Sequence, residues 1–161
     1  MQKTTYYPAD RNEAYRLLLE QLRAMLDGER NWIATLANTS ALLKSFYQDD
    51  INWVGYYQLV GDVLILGPFQ GLVACTRLPK GKGVCQKAVE LKQPVIIQDV
   101  HQFADHIVCD SASNSEIVIP IIKDQQVRWV LDIDSPSLNY FSKQDEYYLA
   151  EFVRLLTAIL D

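Results

Sequence analysis

Asn52-Trp-Val-Gly-Tyr-Tyr-Gln-Leu59 runs through Val60-Gly61-Asp62 and returns as Val63-Leu-Ile-Leu66. Aromatic and β-branched residues suit the pleated, half-buried surface of a strand. A Gly-Asp pair between two such runs reads as a hairpin. The pattern recurs downstream. Glu116-Ile-Val-Ile-Pro-Ile-Ile122 and Val127-Arg-Trp-Val-Leu-Asp-Ile-Asp134 are two more strands around a turn at Asp124-Gln125. Hairpins at both ends of the sheet imply mainly antiparallel pairing.

Helical periodicity flanks these strands. Residues 10–27 place Ala14, Leu17, Leu18, Leu22, Met25 and Leu26 on one stripe, and Gly28 breaks the helix. A second helix spans about residues 30 to 48, with Ile33, Leu36, Ala37, Leu42, Leu43 and Phe46 as its apolar set. Val84 to Leu91 reads as a short helix and Pro94-Val-Ile-Ile97 as a third strand. Ser142, with Asp145 three residues on, opens a last helix through a capping box. Its apolar face carries Tyr148, Leu149, Phe152, Leu155, Leu156 and Ile159. Residues 67–82, with their glycines and prolines, and residues 98–114 read as long loops. Loops of that length are usually functional or disordered. The fold class is α+β.

The 161 residues suit one domain, and 49% hydrophobic residues suit a core without staples. The division is 1–49 for N-terminal helices, 50–136 for sheet and loops, and 137–161 for the C-terminal helix. The net charge of −5 argues against nucleic-acid and anionic-membrane partners, which require clustered Lys and Arg. No run of about 18 apolar residues is present to span a bilayer. The polar start Met1-Gln-Lys-Thr-Thr is unlike a signal peptide. A cytoplasmic setting is expected, in which a disulfide is transient and catalytic. Asn38-Thr-Ser40 matches a glycosylation acceptor, but within a helix it reads as chance.

The three cysteines are Cys75, Cys85 and Cys109, all in the middle third of the chain. A thiolate is the nucleophile of thiol chemistry, and a second thiol closes a disulfide. Cys75 and Cys109 sit in the loops, where approach is feasible. Cys85 stands in the first turn of the short helix, where the helix N-terminus lowers a thiol pKa. Each could instead be a small core residue, a reading that stays open for Cys85 above all.

Along Trp129–Asp134 the side chains alternate. Trp129, Leu131 and Ile133 take one face; Val130, Asp132 and Asp134 take the other. Two acids roughly 7 Å apart on one face need a cation or a shared proton. Asp134-Ser-Pro136 also reads as a turn start. Glu116 joins the two acids only if the register permits. A two-residue turn at Asp124-Gln125 pairs Glu116 with Ile133, on the wrong face. An odd loop or a bulge is required, and Pro120 is a candidate place for it. Trp53 and Tyr57 share a parity on the first strand and could wall a pocket, though core packing explains them as readily. His101, His106 and Cys109 match no common zinc spacing, so no metal is expected.

The chain resembles the free methionine-(R)-sulfoxide reductases, which are single GAF domains. The resemblance lies in Asn52-Trp-Val-Gly-Tyr-Tyr57, Leu66-Gly-Pro-Phe-Gln-Gly71, Ala74-Cys75, Gly81-Lys-Gly-Val-Cys85, Asp99-Val-His101, Cys109-Asp-Ser-Ala-Ser-Asn-Ser-Glu-Ile117 and Val130-Leu-Asp-Ile-Asp-Ser-Pro136. It implies a sheet with the terminal helices packed on one side and a loop-rich pocket on the other. It implies that Cys109 attacks the sulfoxide sulfur, leaving a sulfenic acid. Cys75 would resolve this to a disulfide, with Cys85 as relay or alternative. Glu116, Asp132 and Asp134 would hold the ammonium group and the sulfoxide oxygen, and Trp53 and Tyr57 the S-methyl end. It further implies no bound cofactor, thioredoxin as external reductant, and a homodimer. Trp129 departs from the pattern, where a small residue such as Gly is expected. Two rivals remain: a non-catalytic ligand-binding GAF module, and a thiol sensor oxidised directly by peroxide.

Overall fold

The structure, a computed structural model, describes residues 5–160. Four helices and six strands follow one another in the order α1 (Arg11–Leu26), α2 (Trp32–Tyr47), β1 (Trp53–Val60), β2 (Val63–Gln70), β3 (Arg77–Leu78), α3 (Gly83–Leu91), β4 (Val95–Ile97), β5 (Ser115–Lys123), β6 (Gln126–Ser135) and α4 (Lys143–Leu156). The strands form one sheet in the order β3-β2-β1-β6-β5-β4, every pair antiparallel. The α+β expectation therefore holds.

The two sheet faces have different partners. Tyr56, Ile117, Ile119, Trp129, Leu131 and Ile133 turn toward α1, α2 and α4 and form the larger core. Tyr57, Val118 and Val130 turn the other way, toward α3 and the long loops. On the helical side, Ser142 and Asp145 close the expected capping box on α4. Asp145 is also buried, and accepts hydrogen bonds from Arg11 at 2.6 Å and Tyr15 at 2.5 Å. One carboxylate thus caps α4 and ties it to α1.

Several sequence expectations need correction. The segment 67–82 is not all loop: β2 continues to Gln70, and Arg77–Leu78 pairs with it. Gly67 and Pro68 sit opposite Tyr56 at a register shift. A bulge is where a proline, lacking a ladder donor, can stay within a strand. The segment 98–114 contains a turn of 3₁₀ helix at Val100–Gln102. On α2, Ile33 is exposed, and the buried stripe includes Thr35, Thr39 and Ser40. Thr39 shares a hydrogen bond with the buried Tyr56 hydroxyl at 2.8 Å, and Ser40 donates to the Leu36 carbonyl. The Thr39 and Ser40 hydroxyls thus find partners, whereas the buried Thr35 hydroxyl has none.

Trp129 is buried under α2, its ring 5.3 Å from that of Trp32. Opposite it lies Gly67, where an added Cβ would stand 2.8 Å from the indole. The bulky residue is accommodated by a glycine on β2, on the face away from Asp132 and Asp134.

The disruption expected at Pro120 is elsewhere. The turn at Asp124-Gln125 has two residues, as expected, with Lys123 opposite Gln126 and Ile122 opposite Val127. Ile121 then faces Trp129, so Arg128 is an extra residue on β6. From there the register is shifted by one, and Glu116 faces Asp134. Pro120 simply pairs with Val130.

Candidate active site

Because of that bulge, Glu116, Asp132 and Asp134 share the face opposite the helices. β1 completes the floor, with Trp53 across from Asp134 and Gly55 across from Asp132. A side chain at Gly55 would strike Phe69 Cβ at 2.4 Å and the Trp53 ring at 2.6 Å. Its absence lets Trp53 stack on Phe69, ring centres 5.3 Å apart, and on Tyr57 at 6.0 Å. The Trp53 indole donates to the Leu72 carbonyl at 3.1 Å, and the Tyr57 hydroxyl to the Cys75 carbonyl at 3.0 Å. The aromatic wall is thereby fixed to the loop that carries Cys75.

Above this floor Cys75 and Cys109 are joined by a disulfide, with Cα atoms 5.6 Å apart. The two loops therefore meet over the acids. Asn52 fastens the second loop, donating to Asp110 at 2.9 Å and Ser113 at 3.0 Å. Asn114 holds its far end, donating through its side chain to the Pro136 carbonyl at 2.7 Å. Between floor and loops lies a cavity that opens to solvent, walled by aromatic and apolar side chains with the acids at its base. All eight residues singled out from the sequence (Trp53, Tyr57, Cys75, Cys85, Cys109, Glu116, Asp132 and Asp134) lie at it or adjoin it. His106, Asp110 and Ser113 also line it and were not assigned a place in it beforehand. Asp110 and Ser113 belong to the Cys109–Ile117 string, which marks their loop, whereas His106 has no spacing in the sequence that announces it. Burial pushes the His106 pKa below its usual value.

Among the described residues, no Lys or Arg lines the cavity, and the acids feel one another instead. Burial raises the pKa of Glu116 well above the carboxylate range, and Asp132 and Asp134 add to the shift. Burial raises Asp134 in the same way, with Asp132 and Asp110 contributing. Asp132 is raised too, chiefly by burial, but hydrogen bonds from Glu116 and Cys85 oppose the rise. Glu116 and Cys85 thus favour the carboxylate form of Asp132 over that of its two acidic neighbours. The Asp132 Oδ1 atom nonetheless has no partner. Opposed buried acids are costly to ionise together, and a buried acceptor is costly to leave unpaired.

Cys85 does not behave as a helix-start thiol. It is buried against Asp132, and burial together with the three acids holds its pKa well above the usual thiol value. Desolvation and nearby negative charge outweigh the helix terminus.

The GAF domain family matches residues 8–161. Over 151 residues the chain is 48% identical to free methionine-R-sulfoxide reductase of Escherichia coli (strain K12), covering 94% of this chain and 91% of that protein. The chain belongs to the free methionine-R-sulfoxide reductase family of GAF domains. The structure is similar to that of the Neisseria meningitidis reductase in complex with its substrate, with a TM-score of 0.93 and 40% identity over 99% of this chain and 95% of that one. It is similar also to the Staphylococcus aureus enzyme bound to substrate, with a TM-score of 0.86 and 43% identity over 98% and 100% of the two chains. Against this family background the cavity is a candidate substrate site. Among the described residues, no helix is long and apolar enough to cross a membrane.

Proposed function

We propose that this protein reduces free methionine-(R)-sulfoxide to methionine, with Cys109 as nucleophile and Cys75 as resolving thiol. The observation that carries the reading is the disulfide-forming pair set over three buried carboxylates in an aromatic-walled cavity. Family likeness to reductases of that substrate supports it.

The residues divide the work by their protonation. Glu116 and Asp134, pushed furthest up, keep protons to give to the sulfoxide oxygen. Asp132, which accepts hydrogen bonds, receives the ammonium group. Trp53 and Tyr57 enclose the S-methyl end. The Cys109 thiolate bonds to the sulfoxide sulfur as the oxygen is protonated. The hydroxyl passes to Cys109 as the S–S link to substrate breaks, so methionine leaves and Cys109 is a sulfenic acid. Cys75 attacks that sulfur, water departs, and the disulfide forms. In sum, one sulfoxide and two thiols become one thioether, one disulfide and water. A peptide-bound residue lacks the ammonium group and would leave Asp132 unpaired, which explains a preference for the free amino acid.

From the same resemblance we extend to this chain thioredoxin as the external reductant, a homodimer as the assembly and the cytoplasm as its place. Single-turnover release of methionine tests the cysteine roles. Cys109→Ser is expected to release none, whereas Cys75→Ser is expected to release one methionine per chain. The reverse pattern would exchange the two roles. Loss in neither variant would remove both from the chemistry.

A further inference from the structure

The floor of the cavity brings together three donor groups of a kind that metals recognise. Ligand atoms of Cys85, Glu116 and Asp132 all lie within 4.8 Å of one another, and all three residues are buried. They come from three elements, α3, β5 and β6, so no sequence spacing announces them. The second observation is independent of that clustering. Asp132 is 7% exposed, it lines the cavity, and its Oδ1 has no hydrogen-bond partner. A buried acceptor facing a cavity without a donor is a group waiting for a cation.

We propose that Cys85, Glu116 and Asp132 form a binding site for a thiophilic divalent cation of the zinc or cadmium type. Donor chemistry selects the class. A thiolate discriminates against magnesium and calcium, which want oxygen alone, and a mixed sulfur–oxygen set suits zinc. Zinc–sulfur bonds near 2.3 Å and zinc–oxygen bonds near 2.0–2.2 Å place tetrahedral ligand atoms about 3.5 Å apart. Closing from 4.8 Å requires movements on the order of 1 Å, within reach of side-chain rotation. Three protein ligands and an open fourth position facing the cavity make the pattern of an accessible site. On binding, the Cys85 S–H bond breaks, a sulfur–metal bond forms, and the proton leaves to solvent. Glu116 gives up its proton likewise, and nothing is oxidised or reduced.

A cation there takes the carboxylates that the substrate would use, so it excludes free methionine-(R)-sulfoxide. That exclusion rests on the proposed substrate reading; the metal site itself does not. Cys75 and Cys109 are not ligands, so the site persists while they are joined as a disulfide.

The test uses the oxidised full chain titrated with cadmium, read by the sulfur-to-cadmium charge-transfer absorbance. The expected result is a band saturating at one cadmium per chain. It should persist in the Cys75→Ser, Cys109→Ser double variant and vanish in Cys85→Ser and Cys85→Ala, whose folding is checked by near-ultraviolet circular dichroism. Asp132→Asn should weaken cadmium by at least about tenfold, since losing even an outer-sphere partner costs that much. Free methionine-(R)-sulfoxide should raise the cadmium concentration needed for half-saturation. No band, or a band that survives loss of Cys85, or unchanged affinity in Asp132→Asn, overturns the site. A Cys85-dependent band indifferent to the sulfoxide overturns the exclusion and counts against the substrate reading, while leaving the metal site standing.

Discussion

Glu116 stands directly across the β5–β6 ladder from Asp134, and one inserted residue, Arg128, puts it there. Without the bulge, Glu116 would face Ile133 and its side chain would turn toward the helices. The acidic floor is thus a product of strand register as much as of residue identity.

That pairing should cost stability. Asp134→Asn removes one of two opposed buried acids at almost constant shape. Once pH rises far enough to ionise both, relief of the like-charge cross-strand pair is worth about 0.2–1 kcal/mol. The expected outcome is a melting temperature that exceeds the wild-type value by up to about 4 °C at alkaline pH, using about 2–4 °C per kcal/mol for a chain of this size, with the difference shrinking as pH falls, together with a lower kcat/KM for free methionine-(R)-sulfoxide. Thermal melts and steady-state kinetics on the same preparation check both halves.

The raised pKa values set a pH trend for the ligand-free protein. Glu116, Asp132 and Asp134 titrate above their unfolded values near pH 4. Between those values and the raised native ones, the folded state binds more protons than the unfolded state. Their contribution is therefore full below about pH 4 and falls as pH rises through the native values. Melting in a pH series should show this decline for the wild-type protein and a flatter curve for Glu116→Gln. Methionine, whose ammonium group offsets the ionised acids, should stabilise the protein more at pH 8 than at pH 5.

The disulfide closes a loop with a sequence separation of 34 residues. Chain-entropy reasoning gives such a cross-link up to about 4 kcal/mol. The oxidised protein is expected to melt roughly 10 °C above the reduced one. Paired melts with and without reductant, with Cys75→Ser as the control insensitive to reductant, measure it.

Behind the sheet, Trp129 occupies the space that Gly67 leaves. Gly67→Ala forces a methyl group against the indole and should destabilise by about 1–3 kcal/mol, the usual cost of overpacking. Adding Trp129→Leu should recover part of that loss, a non-additivity expected only of residues in contact. Denaturant melts of the two single variants and the double variant give the coupling directly.

Much of this was legible in the sequence. The hairpins, the capping box at Ser142 and Asp145, and the faces of β6 follow from local patterns. The register did not: Val127-Arg-Trp-Val reads as unbroken alternation, and nothing local marks Arg128 as the inserted residue. Pro120 drew attention because a missing donor is visible in a sequence, whereas a bulge made by an ordinary residue is not. Gly67-Pro68 misled in the opposite direction, since turn-forming residues also occur at bulges within strands. The three acids are visible in the sequence, but their burial together, and with it the fate of Cys85, follows only from the tertiary structure. Helix position alone predicts a lowered Cys85 pKa; burial against Asp132 reverses the sign.

The central claim is that this cavity spends two thiols on one sulfoxide. Fully reduced protein mixed with the separate epimers of free methionine sulfoxide, with thiols counted and methionine quantified, tests it most directly. The account predicts two thiols lost per methionine formed, with the R epimer only, and Cys85 still free. Unchanged thiols in the presence of the R epimer would contradict it.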